Sequence, residues 1–195
     1  MKRKELKHPF FVIIGPSGSG KTKVAEAVFP SEYKVISHTT RPIRKEEEDG
    51  LDYYFETKER FEYLLNTEAL AEHDMYHGNQ YGVGIVELLQ KTADHYAYDV
   101  LTIKGFQEIE KKFGNMVIPI FLNVSKKNVL TRLKIREDDE KILTQRGALY
   151  DQEIQNKNMV VNYPNYYIID ADQSFEKVVK DVKQAVNETV KIKLG

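Results

Sequence analysis

Apolar positions along this chain fall into two kinds of pattern. The first is the short continuous run. Phe10 to Ile14 ("FFVII") has no polar alternation, which predicts a strand covered on both faces. Val35 to Ser37, "HYAYDVLTI" (95–103), "VIPIFLNV" (117–124) and "YYIID" (166–170) are further predicted strands. The second kind recurs every three or four residues and predicts helices. It includes Val24, Ala25 and Val28 in "KTKVAEAVF", then Phe61, Leu64 and Leu65 in "KERFEYLLNTEAL". Val129, Leu130 and Leu133 follow in "KKNVLTRLKIR", where Ser125 is placed to cap the helix. After Ser174, Phe175, Val178, Val179, Val182, Ala185, Val186 and Val190 form a stripe that reads as core in a closing helix. Strands alternating with helices predict an α/β fold with a parallel sheet and helices on both faces.

Two regions interrupt this alternation. Residues 38–90 hold "DYYF" and "EHDMYHGNQYG", rich in β-forming aromatics, around one amphipathic helix; they read as a small mixed α and β excursion from the core. Within it, Glu46 to Asp49 reads as a solvated loop. "EDDEKILTQRGALYDQEIQ" (137–155) is charged and lacks a strong apolar stripe, which suits a mobile surface segment.

Composition narrows the function. A chain of 195 residues suffices for one domain with a substantial core. With 29 basic and 30 acidic residues, it has no general basic face for nucleic acid or membrane surfaces, so neither partner is expected. There is no cysteine, hence no thiolate ligand or nucleophile, and a reducing cytoplasm fits. The five-residue run after the basic "MKRKELKH" is too short for a signal peptide or a membrane span.

The strongest local signal is "GPSGSGKT", residues 15–22, between a predicted strand and a predicted helix. Gly15, Pro16, Ser17, Gly18, Ser19 and Gly20 give a turn whose backbone N–H groups can converge on phosphate oxygens, and the following helix adds its positive end. Lys21 would bridge the outer phosphates of ATP, and Thr22 would offer its hydroxyl to Mg2+. A second phosphate site is suggested by "SHTTRPIRKEEEDGLDYYF" (37–55). There Arg41 and Arg44, with Tyr53 and Tyr81, supply planar forks and uncharged donors for an anion. Glu72 would repel a phosphate. Placed a nucleotide's length away, it would accept hydrogen bonds from a guanine ring N–H and amino group.

Taken in order, "GPSGSGKT", "SHTTR", "EEEDGLDYYF", "EH", "GNQYG", "RLKIR" and "VVN" resemble the guanylate kinase family over nearly the whole chain. The resemblance implies a P-loop kinase core with a parallel sheet, an inserted small mixed α+β GMP-binding subdomain and a helical lid. As residue ranges these are core 1–37, 91–131 and 156–195, subdomain 38–90 and lid 132–155. It implies transfer of the terminal phosphoryl of ATP to GMP with Mg2+. Ser37, Arg41, Arg44, Tyr53, Glu72 and Tyr81 would line the GMP site, Arg132, Arg136 and Arg146 would close over the transferring group, and Asn162 would lie near the adenine.

Two positions depart from the family pattern. Val83 stands where a Thr or Ser hydroxyl usually contacts the guanine carbonyl, a loss of about tenfold at most. The strand that usually reads "LDID" here reads "AYDVLTIKG", with Val100 and Thr102 at the aspartate positions. Asp99 substitutes only if the strand shifts by one residue, which would reverse its facing. These departures keep open a kinase for another (deoxy)nucleoside monophosphate and a weakly active or non-catalytic binding module. His73, Asp74 and His77 have spacing that would suit a metal on a helix, but the glycines beside them argue against a helix there. His8, His38 and His95 are expected to make ordinary hydrogen bonds.

Overall fold

Side chains on strand β1 (Phe10–Ile14) alternate between two apolar layers: Phe11 and Ile13 enter one, Phe10, Val12 and Ile14 the other. The computed structural model describes residues 5–76, 78–136 and 140–194, with the backbone alone at 136, 140–142, 146 and 194. In chain order the remaining elements are α1 (Lys21–Val28), β2 (His38–Thr39), β3 (Tyr54–Phe55), α2 (Lys58–Asn66), β4 (Leu70–Tyr76), β5 (Asn79–Gly84), α3 (Ile85–Lys91), β6 (Ala97–Val100), α4 (Ile103–Phe113), β7 (Val117–Asn123), α5 (Lys126–Arg136), α6 (Glu140–Glu153), α7 (Lys157–Val160), β8 (Tyr167–Asp170) and α8 (Phe175–Leu194).

The core sheet has the order β6-β1-β7-β8, and every pair in it is parallel. One face is covered by α1, α5 and α8 through Val24, Ala25, Val129, Leu133, Val178, Val182 and Val186. The other is covered by α3, α4 and α7 through Leu88, Phe106, Ile109 and Val160. This is the expected three-layer α/β core, and its strands are apolar on both faces because helices cover both. A second, mixed sheet of order β3-β2-β5-β4 is built from residues 38–84, with α2 packing Phe61 and Leu64 against Leu70. No helix among the described residues is long and apolar enough to cross a membrane.

Two local expectations are corrected. Val35 to Ser37 is not a strand of its own. Lys34 bridges to Tyr98 and the Val35 N–H reaches the Tyr98 carbonyl at 2.9 Å, after which the buried chain crosses to the second sheet. Within the charged segment 137–155, the helix α6 meets the core through Tyr150, whose hydroxyl donates to the Val124 carbonyl at 2.7 Å, and through Gly147, where a Cβ would meet Leu130 at 3.1 Å. The stripe of α8 begins at Val178, since Phe175 is exposed while Val178, Val182, Ala185 and Val186 are buried. Ser125 caps α5 as expected, its hydroxyl accepting the Asn128 N–H at 3.4 Å.

Candidate active site

The glycine loop leaves the carboxyl end of β1 and turns into α1. Gly18 and Gly20 have φ of 81° and 95°, the left-handed region where a Cβ is strained. At Gly18 a Cβ would also meet Leu133 at 3.0 Å. The Lys21 ammonium folds over the loop and donates to the carbonyls of Gly15 (2.7 Å) and Pro16 (3.0 Å). Arg132, from α5, donates to the Ser19 carbonyl at 3.0 Å and to the Ala171 carbonyl at 2.7 Å. Thr22 is exposed in the first turn of α1. The Ser17 N–H donates to Glu153 Oε2 at 2.8 Å, so a carboxylate from the end of α6 rests on a backbone donor of the loop.

An analogous internal anion occupies the arginine site. Arg41 meets Glu47 through two parallel bonds of 2.7 and 2.9 Å and lies over the rings of Tyr53 and Phe55. The bond to Glu47 raises the Arg41 pKa above its ordinary value despite partial burial. Arg44 is largely exposed, its backbone N–H on Glu47 at 2.9 Å. Glu47 is therefore not the solvated loop residue expected from the charge run. The fork geometry of Arg41 selects it.

Register brings the glycine loop and the end of β6 to one edge. Asp99 of β6 pairs with Val12 and Val100 with Ile13, and the Leu101 N–H continues the ladder to the Ile13 carbonyl at 3.3 Å. Gly15 and Thr102 thus leave neighbouring strands, about 5 Å apart, at the same carboxyl edge, the usual ligand side of a parallel sheet. Asp99 is buried and accepts the Ser37 hydroxyl. It shares its strand face with Ala97, whereas Tyr98 and Val100 pack on the opposite layer. No register shift is needed for it to face the second sheet. Tyr53 feels the charges of both Asp99 and Arg41, and burial holds its phenol well above the ordinary value.

Glu72 lies across the strand pair from Val83 and is 3% exposed. Burial, reinforced by the charges of Asp99, Glu108 and Asp74, pushes its carboxyl up to about 8, although it accepts the Val83 N–H. Gly105 permits its position, because a Cβ there would lie 2.7 Å from Glu72 Oε2. Asp99 is raised to about 6 by burial. Val83 is fully buried in the apolar layer with Ala71 and Leu88.

Glu47, Gly105 and Glu153 adjoin the candidate site without any sequence pattern that singled them out for it. Asp74, weighed only for a metal, and Thr102, noted only as a departure from the family pattern, adjoin it too; Asp74 carried a usable signal, standing two residues from Glu72 on what is a strand. Because 70–76 is a strand, His73 and Asp74 face opposite ways, and the helical spacing of a metal site is absent; His77 lies outside the described residues. The backbones of Arg136 and Arg146 belong to α5 and α6, and their side chains lie outside the described ones. Asn162 is exposed after α7, its amide donating to the Asn158 carbonyl at 3.1 Å. No bond among the described residues joins it to the loop. His8, His38 and His95 bond to the Thr92 carbonyl, Glu56 and the Tyr96 carbonyl.

A family model described as guanylate kinase matches residues 7–189. The chain is similar to a guanylate kinase of Chlorobium luteolum, 37% identical over 142 residues, covering 67% of this chain and 70% of the relative. It is 36% identical over 146 residues to a guanylate kinase of Mycoplasma pneumoniae, covering 69% of this chain and 59% of that one. The crystal structure of guanylate kinase from Anaplasma phagocytophilum has the same fold at 22% identity, with a TM-score of 0.69 over 95% of this chain and 88% of that one.

Proposed function

The chain belongs to the guanylate kinase family, and we propose that it works as an ATP:GMP phosphotransferase, moving the γ-phosphoryl group of ATP onto GMP to give ADP and GDP. The observation that carries this reading is the shared carboxyl edge, where the loop after β1 lies beside the Glu72 and Asp99 group.

ATP phosphates bind the loop Gly15–Gly20 and Lys21, displacing Glu153 from the Ser17 N–H. The phosphate of GMP takes Arg41 from Glu47, helped by Arg44, Tyr53 and Tyr81. Both exchanges replace an internal carboxylate by a more highly charged anion, so the Ser17 N–H and the Arg41 guanidinium keep an acceptor until substrates arrive. Ser37 and Glu72 take the guanine, and Asn162 lies on the adenine side. Residues 38–90 form the GMP-binding subdomain, and 132–155 form the lid that carries Arg132, Arg136 and Arg146 over the transferring group. Closure of these parts excludes water as a competing acceptor.

The exposed Thr22 hydroxyl is a hard oxygen donor beside the phosphate loop, and among the described residues no group of three His, Asp or Glu could hold a metal. That donor set fits Mg2+, which is held mainly by substrate phosphates and water with few protein ligands. When bound, Mg2+ neutralises charge developing on the phosphates. The chain's own part is positioning and electrostatics, so no covalent intermediate is required. A cytoplasmic location suits a cysteine-free chain that uses free nucleotides.

ATP consumption measured with GMP, dGMP, AMP, CMP and UMP tests the assignment. GMP far ahead supports it; another base ahead makes the protein a kinase for that nucleotide; GMP binding without turnover makes it a binding module. The pH dependence gives a second check. Below about 8 the Glu72 carboxyl is mainly protonated before GMP binds, and binding guanine donors must expel that proton. KM for GMP should therefore fall as pH rises toward 8, by up to about tenfold per unit, while KM for ATP stays level. Gly105→Ala should raise KM for GMP about tenfold by pushing Glu72 off its position. Normal GMP kinetics in that variant would show that Glu72 relaxes without cost.

A further inference from the structure

We propose that Asp74 is a base-recognition residue of this chain, its carboxylate accepting the exocyclic amino group of guanine beside Glu72. In this arrangement strand β4 supplies the acceptor that Thr102 leaves out at the junction of β6 and α4. The inference deepens the GMP reading and rests on it.

Asp74 follows Glu72 by two residues on β4, so the two share a face, and their cross-strand partners are Tyr81 and Val83. Its carboxylate is held from three directions: Thr102 Oγ1 donates to Oδ2 at 2.7 Å, the Met75 N–H to Oδ1 at 2.9 Å, and Lys104 Nζ to Oδ1 at 3.2 Å. Burial alone would raise its pKa, but these donors outweigh burial and hold it below the ordinary carboxylate value. The same Thr102 oxygen accepts the Gly105 N–H at 3.1 Å, and Gly105 lies against Glu72. Asp74, Thr102, Gly105 and Glu72 therefore form one contiguous group at the carboxyl edge of the core sheet.

The chemistry of the base calls for such a group. Guanine presents three donors on one edge, the ring N–H and both hydrogens of its amino group. Glu72 satisfies two of them with its two oxygens. A third donor left unpaired in a buried site is costly, and Asp74 Oδ2, which receives the Thr102 hydroxyl, has room for a further donor. Thr102 itself offers no carboxylate, and its hydroxyl holds that of Asp74 in place.

The test compares GMP with IMP, which lacks the amino group, in the intact protein, in Asp74→Ala and in the double variant Asp74→Ala/Thr102→Asp. Asp74→Ala should lower kcat/KM for GMP about ten- to fiftyfold through KM, in proportion to one charge-assisted bond. Its effect on IMP and on KM for ATP should be several times smaller, so the GMP preference shrinks. Returning the carboxylate at Thr102 should restore most of that preference. If Asp74→Ala does not fold, the isosteric Asp74→Asn should lower the same ratio. Parallel losses for GMP and IMP would make Asp74 a purely structural tether and overturn the proposal, as would an unchanged ratio. Such a result with normal GMP turnover in the intact protein would sink only the role of Asp74, whereas absence of GMP turnover there would sink the kinase reading as well.

Discussion

Lys21→Met should lower kcat for GMP phosphorylation by about a thousandfold while leaving the fold intact. Its ammonium is tied to the loop by bonds to the Gly15 and Pro16 carbonyls. In the proposed reaction it would meet the charge that develops on the transferring phosphoryl, where a preorganised donor is worth about a hundred- to a thousandfold in rate. Methionine keeps most of the apolar stem and removes only the charge and the donors. Two partly buried loop carbonyls lose a partner, which costs stability on the order of 1 kcal/mol. A melting curve near that of the parent, with kcat reduced and GMP binding retained, is the expected combination. Retention of more than about a tenth of the parent kcat would remove Lys21 from the chemistry.

Glu72→Gln should have opposite effects on function and on stability. A site built to pair donors rejects a mismatch strongly, and the amide offers guanine one acceptor and an unwanted donor. kcat/KM for GMP should drop by about a few hundredfold, with KM for ATP unchanged. The nucleotide-free protein should become more stable at alkaline pH. The folded carboxyl titrates near 8 against an ordinary 4.5, so the stability it contributes is fully present below about 4.5 and is lost as pH rises through 8. At pH 8.5 the buried charge costs the fold on the order of 3–5 kcal/mol. Glutamine removes that cost, so the stabilities of the variant and the parent should diverge steadily as pH rises from about 4.5 to 8 and converge below about 4.5. Asp99, raised by burial to about 6, titrates in both proteins, and because its charge helps to raise Glu72 the difference belongs to the coupled pair. Curves that stay parallel from pH 5 to 8.5 would show that Glu72 is not held in a dry site.

Both variants concern residues whose importance is visible in the amino-acid sequence. The glycine loop, its lysine and the strand preceding it are contiguous in the chain, so spacing alone defines their geometry. The acceptor residues are scattered from 37 to 83, and family resemblance gathered them into one site where local pattern could not. The carboxylates Glu47 and Glu153 were not legible as partners of Arg41 and the loop. A charge run looks the same whether it faces water or folds back onto an arginine. The contacts between α6 and the core were illegible for a similar reason: Tyr150 and Gly147 make them through one hydrogen bond and one close approach, neither of which repeats with helical period.

The sequence alone determined the alternating α/β core, the phosphate loop and the residue types available for two anions and a base, because these depend on periodicity and on neighbours a few residues apart. Only the tertiary structure decided that Asp99 faces the second sheet, that Gly105 makes room for Glu72, and that Thr102 holds Asp74. Those relations join residues 28 or more positions apart. They depend on strand register and on angstrom-scale clearance, which no pattern of neighbouring residues encodes.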